Sequence, residues 1–147
     1  MNVTNKMQLK FESKAINEGF ARQAVAAFVS QLDPTMDELN DIKTVVSEAV
    51  TNAVVHGYKD AIGYIFVTVK IIGLDTVEII VRDKGCGIPN IKQAMEPMYT
   101  TGNEERSGMG FTIMESFMDK LRIRSKIGKG TTVSMTRRID SKLSGGK

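Results

Sequence analysis

A chain of 147 residues with 41% apolar and 25% charged side chains can fold as one domain around its own hydrophobic core, with the composition of an ordinary soluble globular protein. It has no apolar run long enough to span a membrane, no apolar signal core in MNVTNKMQLKFES, and one cysteine, which excludes an internal disulfide and a Cys/His zinc site. A reducing, cytoplasmic setting with no membrane contact is expected. The net charge of +3 hides an asymmetry: residues 1–119 hold 11 Lys/Arg against 16 Asp/Glu, and residues 120–147 hold 9 against 1. That basic end lacks interleaved aromatics for base stacking, so it reads as a solvated edge strand and tail rather than a nucleic-acid surface.

In chain order, Met7, Leu9 and Phe11 alternate with polar neighbours, which predicts a half-buried first strand. From Ser13 to Leu32 the pattern turns helical, with Ser13 as N-cap and Ile16, Phe20, Ala24, Phe28 and Leu32 as the core stripe. Arg22 lies off that stripe, either as a solvated charge or as a contact point for another protein. QLDPT ends the helix, because proline disfavours helical geometry in the residue before it. Thr35 with Glu38 fits a capping box for a second helix of about six turns. Leu39, Ile42, Val46, Ala49 and Ala53 form its apolar stripe, and Gly57 stops it.

Within this second helix, SEAVTNAVVHG places Glu48, Asn52 and His56 four residues apart, on one face. The stripe is set among alanines and valines, where an unpartnered polar group costs about 1–3 kcal/mol. It faces a metal, a ligand or a wet cavity, or else it is a polar edge meeting solvent.

Tyr64–Ile72 and Thr76–Arg82 read as adjacent antiparallel strands joined at Gly73-Leu74-Asp75. The second runs into DKGCGIP, Asp83 to Pro89, where Gly85 and Gly87 permit positive φ and close approach of a ligand. Ile91–Glu96 is expected as one short helix. MYTTGNEERSGMG then lacks periodicity, and Met98 to Ser107 is expected to act as a lid. The helical pattern resumes at Gly110, so its glycines stand at a helix N-terminus, which favours phosphate. Two strands follow, Leu121–Ile127 with one basic face and Thr131–Thr136, around the Gly128-Lys129-Gly130 turn.

Three motifs therefore stand in order: Glu48-x-x-x-Asn52 on a helix, Asp83-x-Gly85-x-Gly87 after a strand, and Gly108-x-Gly110 opening a helix, with GKGTT after them. Together they resemble the GHKL ATP-binding fold shared by histidine kinases, Hsp90 chaperones, type II topoisomerases and MutL, over residues 7–136. SEAVTNAVVHGY and RSGMGFTIMESFMD more closely resemble the bacterial anti-sigma factor serine kinases.

The resemblance implies a two-layer α/β sandwich of the GHKL (Bergerat) type. One mixed, largely antiparallel sheet would carry helices on one face. Residues 1–136 would form the single domain, and 137–147 a disordered basic tail. It implies ATP/ADP and Mg²⁺ as cofactors, with Asn52 as metal ligand and Glu48 as general base. Asp83 would accept from the adenine amino group, Gly85 and Gly87 would shape the base pocket, and Thr131 would support that network. Gly108 and Gly110 would offer N–H groups to the phosphates, with Arg106 assisting from the lid. The implied partners are a sporulation sigma factor, inhibited by binding, and a small anti-anti-sigma protein phosphorylated on serine. Arg22 is the partner-binding candidate, and a homodimer is expected. The alternative is a nucleotide-gated binding module with little or no kinase activity. No P-loop and no HRD or DFG signature is present, and the chain leaves no room for the phospho-acceptor helix pair of a histidine kinase. His56 is read as structural, and Cys86 as accessible but without assigned chemistry.

Overall fold

The computed structural model describes residues 2–58, 61–88, 90–91, 95 and 110–140. Strands β1 (Val3–Glu12), β2 (Tyr64–Ile72), β3 (Thr76–Asp83), β4 (Lys120–Lys126) and β5 (Gly130–Arg138) form one sheet in the order β1-β2-β3-β5-β4. All four described pairings are antiparallel, which meets the expectation of a largely antiparallel sheet. Helices α1 (Asn17–Val29), α2 (Met36–Asn52) and α3 (Gly110–Phe117) supply the second layer.

The two-residue period of the strands decides what each face carries. Phe11 in β1, Ile65, Val67, Val69 and Ile71 in β2, Val77, Ile79 and Val81 in β3, and Val133 and Met135 in β5 are buried and belong to one core. Asp83 follows Val81 in the same alternation, so it too falls on the helix-facing side, and it is only 6% exposed. The β2–β3 hairpin closes through Gly73 at φ 64°, which leaves Ile72 paired with Thr76.

Helix α2 begins as its sequence dictates. The Thr35 hydroxyl accepts from the Glu38 N–H at 3.1 Å, and the Glu38 carboxylate accepts from the Thr35 N–H at 2.9 Å. Ile42, Val45, Val46, Ala49, Val50 and Ala53 are its buried stripe. Its last turn, Ala53–Gly57, widens into a π-helical turn. Such turns occur at functional sites more often than elsewhere.

The first helix differs from the expectation in two respects. Ser13 is not its N-cap: it is buried, its N–H donates to the Gly63 carbonyl and its hydroxyl accepts from the Gly63 N–H, both at 2.9 Å. The core stripe is Ala21, Val25, Ala26 and Val29, with Leu32 in the 3₁₀ turn that follows, while Ile16 is 82% and Phe20 55% exposed. Two apolar stripes compete on this helix. The one with smaller side chains lets α1 lie close against α2; of the larger one, Ile16 and Phe20 are left outward, while Phe28 packs on the core and Leu32 is buried. Phe20 keeps an edge-on contact with Phe11 at 6.4 Å between ring centroids.

The last strand also runs further than expected, through Arg138 rather than Thr136. Arg137 pairs with Asp41 of α2 at 2.8 Å, Arg138 with Asp75 at 2.9 Å, and Ile139 is fully buried. The expected tail therefore loses its first residues to the sheet. Residues 141–147, the short helix expected at 91–96 except for its first residue and Met95, and the lid all lie outside the described residues.

The packing of α1 predicts unequal costs. Val25→Ala removes two buried methyl groups and lowers stability by about 1.5–2 kcal/mol, whereas Ile16→Ala stays within ~0.5 kcal/mol. Urea denaturation of both variants checks the helix register, and the reverse order would contradict it.

Candidate functional site

The site is assembled at the ends of α2, β3 and β5. Asp83, the last residue of β3, lies beside Ile65 on one flank and Thr131 on the other. Its Oδ1 accepts from the Gly85 N–H at 2.8 Å. Burial pushes its carboxyl above the usual carboxylate range, and the backbone groups of Gly85 and Thr131 partly oppose that shift. Its remaining acceptor capacity faces Gly57. A Cβ added at Gly57 would stand 3.0 Å from both carboxylate oxygens, so only glycine leaves them this room.

The DKGCGIP loop folds back on that same turn. Gly85 is required by the chain itself, since a Cβ there would meet the Gly57 carbonyl oxygen at 1.9 Å. Gly87, at φ 84°, packs on the Lys126 carbonyl in the same way. The glycine spacing that predicts close approach of a ligand is thus used first for backbone packing on backbone. Cys86 is exposed; its N–H donates to the Gly57 carbonyl at 2.9 Å and its thiol to the His56 carbonyl at 3.1 Å.

At its other end the polar stripe of α2 meets the start of α3. A Cβ at Gly110 would lie 3.0 Å from Asn52 Nδ2 and 3.3 Å from Glu48 Oε1. The structure therefore brings Glu48, Asn52 and Gly110, the first residue of α3, together. Asp83 stands beyond Gly57, about five residues or roughly 7 Å further along the helix. The end of α2 thus has a buried acceptor beside its last turn, and an amide, a carboxylate and the start of α3 one to two turns earlier. Arg106 and Gly108 lie outside the described residues.

Two residues that sequence reasoning missed hold the Asp83 end of the site in shape. The Ser125 hydroxyl lies 2.8 Å from Thr131 Oγ1 and accepts from the Ile88 N–H at 2.7 Å, joining β4, β5 and the loop after β3. It follows Leu121 and Ile123 on the inward side of β4, and a hydroxyl at the end of that alternation is the signal that could have exposed it. Tyr58 accepts from the Lys84 N–H and donates to the Tyr64 carbonyl, both at 2.7 Å, so its phenol pins the ends of β2 and β3. The nearby Gly63 accommodates the ring, since a Cβ there would stand 2.2 Å from it.

Among the described residues no group of three or more His, Cys, Asp or Glu could hold a metal, and no helix is long and apolar enough to cross a membrane. The donor set fits a cation that takes most of its ligands from phosphates and water, as Mg²⁺ does, with one hard amide oxygen from the protein.

Residues 11–137 match the histidine kinase-like ATPase domain family. The chain is 56% identical to the anti-sigma F factor of Anoxybacillus flavithermus, covering 92% of this chain and 93% of that one. It is 54% identical to that of Thermoanaerobacter sp., covering 96% and 99%. Among solved structures, the RsbU and RsbW domains of a Mycobacterium tuberculosis protein share the fold with a TM-score of 0.68 at 22% identity, covering 92% of this chain and 32% of that one. The mycobacterial sensor histidine kinase MprB does so with a TM-score of 0.55 at 14% identity, covering 90% and 98%. The chain belongs to the histidine kinase-like ATPase domain family and, within it, to the group of the anti-sigma F factors.

Proposed function

We propose that this chain is an ATP-dependent protein serine kinase that doubles as an anti-sigma factor in the cytoplasm. It would bind and inhibit a sporulation sigma factor and phosphorylate a small anti-anti-sigma protein on serine, acting as a homodimer. The observation that carries the reading is the junction of Glu48 and Asn52 with Gly110, one π-helical turn from the buried Asp83. The acceptor of β3 stands beside the last turn of α2, and the amide and carboxylate lie on that same helix, as a nucleotide laid along it would require.

Asp83 would accept from the adenine amino group, and Thr131, tied to Ser125, would hold that end in place. Gly85 and Gly87 fix the loop beside it, and Gly110 offers its N–H to the phosphates. Arg106 and Gly108 are assigned to the phosphates by resemblance. Mg²⁺, held by Asn52 Oδ1 and the phosphates, would neutralise charge on the transferred group. Glu48 would take the proton of the seryl hydroxyl as its oxygen bonds to the γ-phosphorus and ADP leaves. Phosphoryl transfer rests on positioning and charge stabilisation, so one base and a few oriented donors suffice.

The outward face of α1 suits a protein partner. Ile16 and Phe20 are exposed there; Arg22 lies about 200° round the helix from Phe20, flanking the buried stripe, with its side chain 40% exposed and 3.2 Å from Glu18. Arg22 would act as a contact for the sigma factor, the anti-anti-sigma protein or both.

The kinase reading is tested by incubating the chain with γ-labelled ATP and the partner proteins. Glu48→Gln keeps ATP affinity and lowers serine phosphorylation roughly 10²–10⁴-fold; wild-type transfer would remove Glu48 from the mechanism. No label on protein with the native chain would leave the nucleotide-gated binding module instead.

Asp83→Ala acts earlier, on binding. Loss of a charged acceptor weakens ATP binding by about 1.5–3 kcal/mol, read by calorimetry. Equal affinity of the wild type for ATP and GTP would refute the adenine-reading role.

Asp83 also links the stability of the fold to pH. Its folded carboxyl keeps its proton to a higher pH than the ordinary value of 3.8, because burial disfavours the charge. Folding stability from this group therefore falls as pH rises from 3.8 through the raised folded value, and stays reduced to neutrality. Asp83→Asn accordingly melts at a higher temperature than the wild type at pH 7 without nucleotide, and the difference closes below 3.8. A variant that is less stable at pH 7 would contradict the cost of the buried charge.

A further inference from the structure

The sheet's second face, opposite the helices, carries an unbalanced charge. Its registers align Lys10, Phe66, Arg82, Thr132 and Arg124 in one row across all five strands. Lys84 and Lys126 extend beyond Arg82 and Arg124, and Lys129 stands on the adjoining turn. Arg82, Lys84, Arg124, Lys126 and Lys129 line one open pocket of about 380 Å³, which Asp83, Ser125 and Thr131 also line. The described ion pairs join Lys14 to Glu12, Arg22 to Glu18, Arg137 to Asp41 and Arg138 to Asp75, so none reaches these cations. Asp83, next in sequence to two of them, turns its carboxylate to the other side of the sheet.

Neighbouring cations here lie about 7–10 Å apart, from strand spacing and rise. That is within about one Debye length at physiological salt, so they repel one another. Phe66 relieves part of the repulsion: Arg82, Lys84 and Lys10 lie 4.8, 5.4 and 5.8 Å from its ring centroid. Lys10 also lies 4.4 Å from the Tyr64 ring. Among the described residues no carboxylate pairs with these cations, so their charge is available to a ligand of opposite sign.

We propose that this corner of the open face docks an acidic segment of a partner protein, a stretch with several Asp or Glu side chains. The site adjoins the Asp83–Thr131 end of the proposed nucleotide site, is separate from the outward face of α1, and does not depend on the kinase reading. Charge complementarity selects the occupant. The aromatic rings on this face are already engaged by cations, which leaves no free platform for nucleic-acid bases. A second copy of the chain would set like charges against each other.

The test uses the full chain and a fluorescein-labelled Glu/Asp-rich peptide, with its Gln/Asn analogue, a single-stranded oligonucleotide and phosphatidylserine vesicles as competing probes. The acidic peptide binds by anisotropy, the Gln/Asn analogue does not, and the affinity falls between ~50 and ~300 mM NaCl. Arg82→Glu with Arg124→Glu weakens the peptide at least about ten-fold, Lys43→Glu on α2 leaves it unchanged, and ATP affinity is retained by both. Arg82→Gln with Arg124→Gln, read in the same way, stands in if the double reversal does not fold. The proposal is overturned if the analogue binds equally, if the Arg82/Arg124 variants bind like the wild type, or if the oligonucleotide or vesicles bind more tightly than the peptide. A dimer that dissociates in those variants would assign the corner to a second copy and overturn it as well.

Discussion

The carboxylate of Asp83 against the backbone of Gly57 is the contact on which the rest of this molecule depends. A strand that buries Val77, Ile79 and Val81 must bury its next inward residue too, and here that residue is an acid. Hydrogen bonding from the Gly85 N–H lowers the cost of that charge but does not remove it, since the net shift of the carboxyl is upward. The apolar core therefore fixes in place a group that is unfavourable there unless a donor arrives. A ligand that offers one binds to a position prepared by packing, and the site needs little rearrangement to receive it.

The same helix end sets the second half of the site. The π-helical turn at Ala53–Gly57 brings Gly57 to the carboxylate, while Asn52 and Glu48, one and two turns earlier, meet Gly110 at the start of α3. Gly57, Gly85, Gly87 and Gly110 all stand where a Cβ would collide with a neighbour, at 3.0 Å or less. The motif glycines are thus explained by close packing between elements.

Much of this was legible in the sequence because it is local or periodic. The Thr35–Glu38 box, the β2–β3 hairpin and the Glu48–Asn52 spacing each fix geometry within a few residues, and each is found where the spacing puts it. What was misread depends on competition or on distance. Helix α1 has two apolar stripes, and only the fit against α2 decides that Val25 rather than Phe20 goes inside. Arg137 and Arg138 read as tail because their partners, Asp41 and Asp75, lie far away in the chain. Ser125 and Tyr58 were missed for the same reason: their hydroxyls act across strands that only the fold brings together.

The most direct measurement of the central claim is a crystal structure of the chain with Mg²⁺ and a non-hydrolysable ATP analogue. The account predicts the adenine amino group at hydrogen-bond distance from Asp83, with the phosphates at Asn52 and the N–H of Gly110. A nucleotide whose base lies away from Asp83, or whose phosphates point away from the start of α3, would contradict it.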